Sequence, residues 1–512
     1  MKMRINQTLL VLLFVSINLL TGQTSLSEIG LKNGNYAVGF SHYKTYDSSR
    51  TYQRIADWDT KSTARPILTS IWYPAIKTSP PLEPLSVLNY MEILKVEEEW
   101  EYLPNEHILN WFYYANTTEN QKHLSEQTTA FSELRAVKGK FPVVVYAPSY
   151  QAVSIENFRL CEYLASHGYV VIASTSRGAD NRFFEGGTAK DMETQARDVE
   201  FLIQEVRKME IANMDQLGLI GFSFGGLSNM VVQMRNANIK AVMSLDGTER
   251  YRYELLEKSP FFDFKKIDVP YLHIAQKEIP EEVIKKDNIN PELNYKFQLY
   301  DSLQNSTAYK MKFNALSHSY FSTLGVLFQT RDIRQDKSDS EIMESYKWVS
   351  EYVLNFFNGH LKGSVDALQF LENEPQENGL KSDLVQKESK KPKTANFDFR
   401  VFHELVREDD YQNIFERYIE FRKEHPELEI PEGALNNLGL QLVFNPKTAE
   451  KGIKVFEFAT RLYPESSNLY DSMGEGYFFM GNNEKAISSF ETSLRLDSSN
   501  QNAKNRLIQL KN

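Results

Sequence analysis

Residues 217–226 read LGLIGFSFGG, and this stretch decides the fold. The apolar residues Leu217, Leu219 and Ile220 run directly into Gly221-Phe222-Ser223-Phe224-Gly225. A buried strand that ends in G-x-S-x-G is the pattern of a nucleophile elbow, in which a serine sits on a sharp strand-to-helix turn. Glycines two places before and after the serine remove the Cβ atoms that such a turn would bring into collision. Gly and Ser are common enough that the five-residue pattern alone is weak evidence. Its setting strengthens it, because Leu227 to Met234 continues with helix-compatible residues.

Outward from the elbow, the chain alternates between apolar runs and amphipathic stretches. Phe141–Ala147 (FPVVVYA), Tyr169–Ser174 (YVVIAS), Ile239–Leu245 (IKAVMSL), Val269–Ala275 and Tyr309–Phe313 predict strands, the first two buried on both faces. Ile155–Ser166, Met192–Met209, Leu227–Arg235 and Glu341–Leu361 predict the intervening and closing helices, with Gly168 placed as a left-handed C-cap. Two earlier strands are expected at Tyr36–Phe40 and Arg65–Pro74. The order predicts an α/β fold, a mostly parallel sheet with helices on both faces, whose ligand lies beyond the carboxyl ends of the strands.

A serine hydroxyl needs a base to take its proton, usually a histidine held by a carboxylate. Of nine histidines, His318 in NALSHSYF follows the last predicted strand, where the base belongs in the order Ser, acid, His. His273 lies inside an apolar strand and reads as a core residue. Two carboxylates compete for the third role. Asp246 follows the strand after the elbow and Glu278 follows the next one, and strand order alone does not separate them. Asp246 is preferred because it is short and Gly247 permits a tight exit. The oxyanion hole is expected from the backbone N–H of Phe224 and that of Tyr150, in the loop after FPVVVYA. The scheme requires neither metal nor cofactor, and the histidines show no H-x-x-x-H ligand spacing.

The remaining sequence sets the boundaries. At 512 residues two or three domains are expected. A net charge of -10 argues against nucleic-acid binding, which needs surplus Lys and Arg. Lys2 and Arg4 precede an apolar run, Leu9 to Leu20, that is short for a membrane span. Residues 1–23 therefore read as a secretory signal, and membrane contact is otherwise expected to be peripheral only. The single cysteine, Cys161, cannot form an internal disulfide, so export to a bacterial periplasm or outer surface suits the chain. The hydrolase domain is expected over 24–362. Within it, 82–138 is an aromatic-rich, cap-like insertion that is more readily functional than decorative. Residues 363–396, polar and charged, read as an exposed linker.

From 397 to 512 the pattern is helical and repeats. Gly439 and Gly474 stand 35 positions apart, and Phe456 and Phe490 stand 34 apart. That period resembles a tetratricopeptide (TPR) repeat, with Met473, Gly474, Tyr477, Ala486 and Phe490 at its small and large positions. Residues 397–425 are expected to pack on as a degenerate first pair. An all-α repeat-like domain of this kind is expected to receive a protein partner.

Taken in order, SIWYPA, FPVVVYAPSY, LASHGYVVIAST, IGFSFGG, MSLDG and LSHSYF resemble the platelet-activating factor acetylhydrolase group of α/β-hydrolases, near the dienelactone hydrolases. The resemblance spans roughly residues 65–325. It implies a triad of Ser223, Asp246 and His318, and an ester or lipid as the small-molecule substrate. The group's usual Ser-His-Gly after the third strand is Ala147-Pro148-Ser149 here, a departure at the oxyanion hole. The expected activity is hydrolysis of short-acyl carboxylic esters, phospholipids included, through an acyl-enzyme. A peptidase or amidase would use the same triad. A vestigial hydrolase that binds partners through its repeats is the alternative of another class.

Overall fold

The computed structural model describes residues 24–55, 61–78, 82–286, 288–329, 336–392, 399–425 and 428–511. The expected signal segment, 1–23, lies outside them. The chain divides into two compact units, Met1–Pro392 and Lys393–Asn512.

The first unit is built on one ten-stranded sheet. Its strands are β1 (Ala37–Tyr52), β2 (Thr63–Ala75), β3 (Ala130–Ser132), β4 (Phe141–Ala147), β5 (Val170–Ser174), β6 (Ala212–Phe222), β7 (Ile239–Leu245), β8 (Tyr271–Ala275), β9 (Ala308–Phe313) and β10 (Val385–Lys390). Their spatial order is β10-β9-β8-β7-β6-β4-β5-β2-β1-β3. β4 to β9 run parallel, while β2 and β10 join the two sides antiparallel. The two-residue side-chain period divides each apolar run between two cores. Val143 and Val145 of β4 join Met192, Val199, Leu202 and Met230 on one face. Val144 and Tyr146 join Phe158, Leu164, Tyr346 and Val353 on the other. FPVVVYA is apolar throughout because helices cover both faces.

The predicted strands all form. β1 runs on to Tyr52, twelve residues past its expected end, because β2 pairs with it along a long antiparallel ladder. β3 and β10 carry no pattern that sequence reading could use: β3 has three residues and β10 reads VQKESK.

The segment 82–138 folds into the first unit as helices Val87–Glu97, Ile108–Trp111 and Thr118–Leu124. Tyr90 anchors it. The ring stacks on Phe158 at 4.4 Å, and the hydroxyl accepts from Trp72 Nε1 at 2.8 Å and donates to Glu162 at 2.9 Å. The expected linker, 363–396, needs correction. Its residues Val365–Glu372 form a helix and β10 extends the sheet edge beside β9, so the first unit continues to Pro392. Polar composition misled here because an edge strand with one solvated side needs few apolar residues.

The second unit holds helices Phe399–Glu408, Ile414–Glu424, Glu432–Val443, Ala449–Leu462, Ser467–Phe479, Asn483–Leu496 and Gln501–Lys511. The 34–35-residue spacing has a physical counterpart. A Cβ on Gly439 would lie 2.6 Å from the Phe456 ring, and one on Gly474 would lie 2.6 Å from the Phe490 ring. The same close helix crossing, glycine against phenylalanine, occurs twice.

Candidate active site

Ser223 stands between the end of β6 and a helix, Phe224–Arg235, with φ 53° and ψ −118°. Such a backbone costs a non-glycine residue about 1–3 kcal/mol and persists only where its surroundings hold it. The Ser223 N–H donates to the Leu245 carbonyl at 3.0 Å, and its carbonyl accepts from Thr248 at 2.8 Å and Gly226 at 3.1 Å. A Cβ on Gly221 would strike the Gly225 backbone, and one on Gly225 would strike the Ala147 carbonyl. The two motif glycines thus let the new helix fold back over β6 and against the exit of β4.

Asp246 is the first residue past β7 and is also held at positive φ, 41°. Its N–H donates to Ile274 of β8 at 2.6 Å. The carboxylate is fully buried. Oδ2 lies 2.5 Å from His318 Nδ1, while Oδ1 accepts from Tyr251 Oη at 2.8 Å and from the Gln276 amide at 3.1 Å. Burial by itself would raise the Asp246 pKa, but the hydrogen bond and charge of His318, Arg250 at 3.6 Å and the Gln276 amide outweigh it. The carboxyl therefore stays below its ordinary range.

His318 opens a short turn, His318–Phe321, after β9. Its Nε2 lies 2.9 Å from Ser223 Oγ. With Nδ1 directed at a carboxylate, the imidazole carries its proton there and turns the lone pair of Nε2 toward the serine. Its own N–H donates to Gln276 Oε1 at 3.1 Å, and Gln276 Nε2 donates to Tyr251 at 2.8 Å. Gln276 thus ties the histidine backbone to a ligand of the aspartate.

The structure brings Ser223, Asp246 and His318 together and leaves Glu278 out. Glu278 is an exposed side chain 3.4 Å from Lys312, and it makes no contact with the imidazole. β8 ends at Ala275, so the residue at the strand's carboxyl edge is Gln276, and two residues farther the chain has turned outward. His273 is buried in β8 beside Glu249, at 3.1 Å, as expected of a core residue.

On the other side of the serine, Phe224 is the first residue of its helix, so its N–H has no intrahelical acceptor. Among the described residues, no acceptor takes the Tyr150 N–H either. The Ser149 N–H is occupied: it donates to Glu156 Oε2 at 2.9 Å. The rings of Tyr150 and Phe224 meet edge to face at 5.9 Å. Tyr150 opens on a pocket of about 460 Å³ whose wall also includes Ser223, His318, Glu156 and, from the 82–138 segment, Leu94, Glu98 and Phe112–Tyr114.

Sequence reading missed Gln276, Tyr251 and Glu156. Gln276 is the residue just past β8, two positions before the carboxylate that drew attention instead. Tyr251 lies in an irregular segment that neither period nor motif marks, and Glu156, expected inside a helix from Ile155, stands in the turn before a helix that begins at Phe158.

The profile of the Dienelactone hydrolase family matches residues 130–288, a span that contains Ser223 and Asp246 and stops short of His318. No curated protein matches the chain. Among solved structures, a ferulic acid esterase from Streptomyces cinnamoneus is 18% identical, with 69% of this chain and 96% of that one covered and a TM-score of 0.46. The sheet order, the strand-to-helix elbow and the family profile identify an α/β-hydrolase fold, followed by a helical C-terminal region.

Proposed function

We propose that the protein is an exported serine hydrolase that cleaves carboxylic esters through an acyl-enzyme. One observation carries this reading: the unbroken hydrogen-bond chain from Ser223 Oγ to His318 Nε2 and from His318 Nδ1 to Asp246, at the wall of an open pocket. Ser223 Oγ attacks the ester carbonyl carbon while His318 Nε2 takes its proton. The N–H groups of Phe224 and Tyr150 meet the negative oxygen. The tetrahedral adduct collapses, and His318 returns the proton to the departing alcohol. A water then gives its proton to His318 and attacks the acyl-enzyme, which releases the acid and restores the serine. Asp246 keeps the imidazole oriented and balances its transient charge.

The family profile over 130–288 supports a hydrolase. A short acyl group, phospholipid esters included, is the proposed substrate class. In its favour are the aromatic side chains Phe112, Tyr113, Tyr114 and Tyr150 around the pocket and the exposed rings of Tyr102 and Trp111 on the same segment. Export rests on the N-terminal apolar run and predicts a mature chain that begins near residue 24. The repeated glycine–phenylalanine crossing favours a TPR-like role for the C-terminal helices, with a protein partner.

The test is to treat the protein with a fluorophosphonate probe and to compare p-nitrophenyl acetate, longer acyl esters and an aminoacyl anilide. Labelling at Ser223 with fastest turnover of the short esters is expected. Faster turnover of the anilide would make it an amidase. An unlabelled protein that turns over nothing would leave only a binding role.

A further inference from the structure

Glu156 faces the pocket that holds Ser223 and His318, yet the mechanism above does not use it. Its carboxyl is buried and takes both donors of one residue. The Ser149 N–H donates to Oε2 at 2.9 Å, and the Ser149 hydroxyl donates to Oε1. Ser149 is the second residue beyond β4, at the position where the resembled group carries glycine.

Other bonds fix the same loop. Gln195 Nε2 donates to the Pro148 carbonyl at 2.8 Å, the Ala152 N–H closes a turn onto Ser149 at 3.3 Å, and Ser176 donates to the Ala152 carbonyl at 2.8 Å. Gly225, next to Phe224, lies against the Ala147 and Pro148 carbonyls. The loop and the helix start that flank Ser223 are therefore in contact. With the Ser149 amide spent on Glu156, the next amide is Tyr150.

We propose that Glu156 is a positioning residue of the oxyanion hole: by holding both donors of Ser149 it fixes the β4 exit loop so that the Tyr150 N–H is the amide presented to the substrate oxygen. The proposal rests on the serine-hydrolase reading.

Glu156 acts by shape and hydrogen bonding rather than by charge. Burial, with no Lys or Arg paired to it, pushes its carboxyl up to about 7. The titratable groups that face it are Tyr146 from β4, at 3.3 Å, Tyr114 from the 82–138 segment and His318. Both protonation states keep the clamp. The carboxylate accepts both Ser149 bonds beside one from the Tyr146 hydroxyl, and the acid accepts from the Ser149 amide and donates to the Ser149 oxygen. Glutamine has the same shape and the acid form's bonding pattern: its oxygen accepts from the Ser149 amide and its NH2 donates to the Ser149 oxygen.

The experiment measures the full-length protein's phosphonylation by a fluorophosphonate, separating the bound-state rate constant from the binding constant, with melting temperature followed in parallel. Glu156→Ala is expected to lose about 100-fold in the rate constant, the size of one oxyanion donor, with little change in binding. Glu156→Gln is expected to stay within about 3-fold of wild type, as a neutral side chain of equal bonding capacity. Ser149→Ala, which keeps the amide bond and loses the hydroxyl, is expected to fall about 10-fold, and this variant decides the matter if Glu156→Ala does not fold. Glu156→Gln falling as far as Glu156→Ala would overturn the proposal in favour of a charge role, and an unchanged Ser149→Ala or Glu156→Ala would overturn it outright. A wild type that takes no label overturns the hydrolase reading and this with it, whereas a labelled wild type beside unchanged variants overturns this alone.

Discussion

His318 is held at two points, its ring by Asp246 and its backbone by Gln276, and the two holds differ in chemistry. The carboxylate selects the tautomer, whereas the amide only locates the residue. Under the proposed mechanism Ser223→Ala should abolish fluorophosphonate labelling and cut ester turnover by at least about 10⁴-fold, with an unchanged circular dichroism spectrum. Asp246→Asn should lower kcat by about 10³–10⁴-fold with a small change in KM, because the amide favours the wrong imidazole tautomer. Gln276→Ala should cost far less, about 10-fold in kcat, because the tautomer is preserved and only the backbone anchor is lost. If Gln276→Ala proved as severe as Asp246→Asn, orientation rather than proton placement would be the main service of these contacts.

A second buried carboxyl ties two elements together. Glu97, at the end of helix Val87–Glu97, accepts the Ser154 N–H at 2.8 Å and the Ser154 hydroxyl at 2.5 Å, so the 82–138 segment grips the far end of the pocket loop. Ser154 Oγ lies 2.7 Å from Ser70 Oγ, and that oxygen lies 3.0 Å from His42 Nδ1. Although His42 and Glu97 approach to 3.8 Å, they do not form an ion pair around pH 6. Burial pushes Glu97 up to about 7 and His42 down to about 4, so both are neutral there. The unfolded chain releases the Glu97 proton near 4.5, so this group's stabilisation is complete below that pH and is lost as pH rises through about 7. His42 works in the other direction: its contribution is complete above 6.5 and is lost as pH falls toward about 4. Glu97→Gln removes the first dependence. The stability lost between pH 5 and pH 8 should shrink by on the order of 2 kcal/mol, measured by denaturant titration at both values. An equal loss in both proteins would show that Glu97 ionises normally in the fold. At the elbow the constraint is steric. Gly225→Ala sets a methyl on the Ala147 carbonyl and should abolish labelling or soluble expression.

The pocket wall named above belongs wholly to the first unit, none of it beyond Gln329. A chain ending at Pro392 should therefore label with fluorophosphonate at a rate within about 3-fold of the full protein, since no contact to the reacting groups is removed. A larger loss would mean that the C-terminal helices contribute to the site. In that second unit, Gly474→Leu would drive a side chain into the Phe490 ring and should unfold the unit, read as lost helical circular dichroism, at a cost of more than about 3 kcal/mol.

Much of this molecule was legible in one dimension. Runs such as FPVVVYA and YVVIAS announced a sheet covered on both faces, because a strand packed on two sides can carry no polar period. The glycines around Ser223 announced the elbow, because only that turn needs both. Chain order placed His318 after the last parallel strand, where the structure also has it. Between Asp246 and Glu278 strand order could not choose, since each follows a parallel strand, and only the short side chain and Gly247 favoured Asp246. Tertiary structure separated them by how far each lies past its strand's edge: Asp246 is the first residue out and points inward, while Glu278 is the third and faces Lys312. The clamps made by Glu156, Gln276 and Glu97, and the strand at Val385–Lys390, were decided by tertiary structure alone. Each depends on a partner far away in sequence, and a hydrogen bond between distant residues leaves no period or spacing in the chain that forms it.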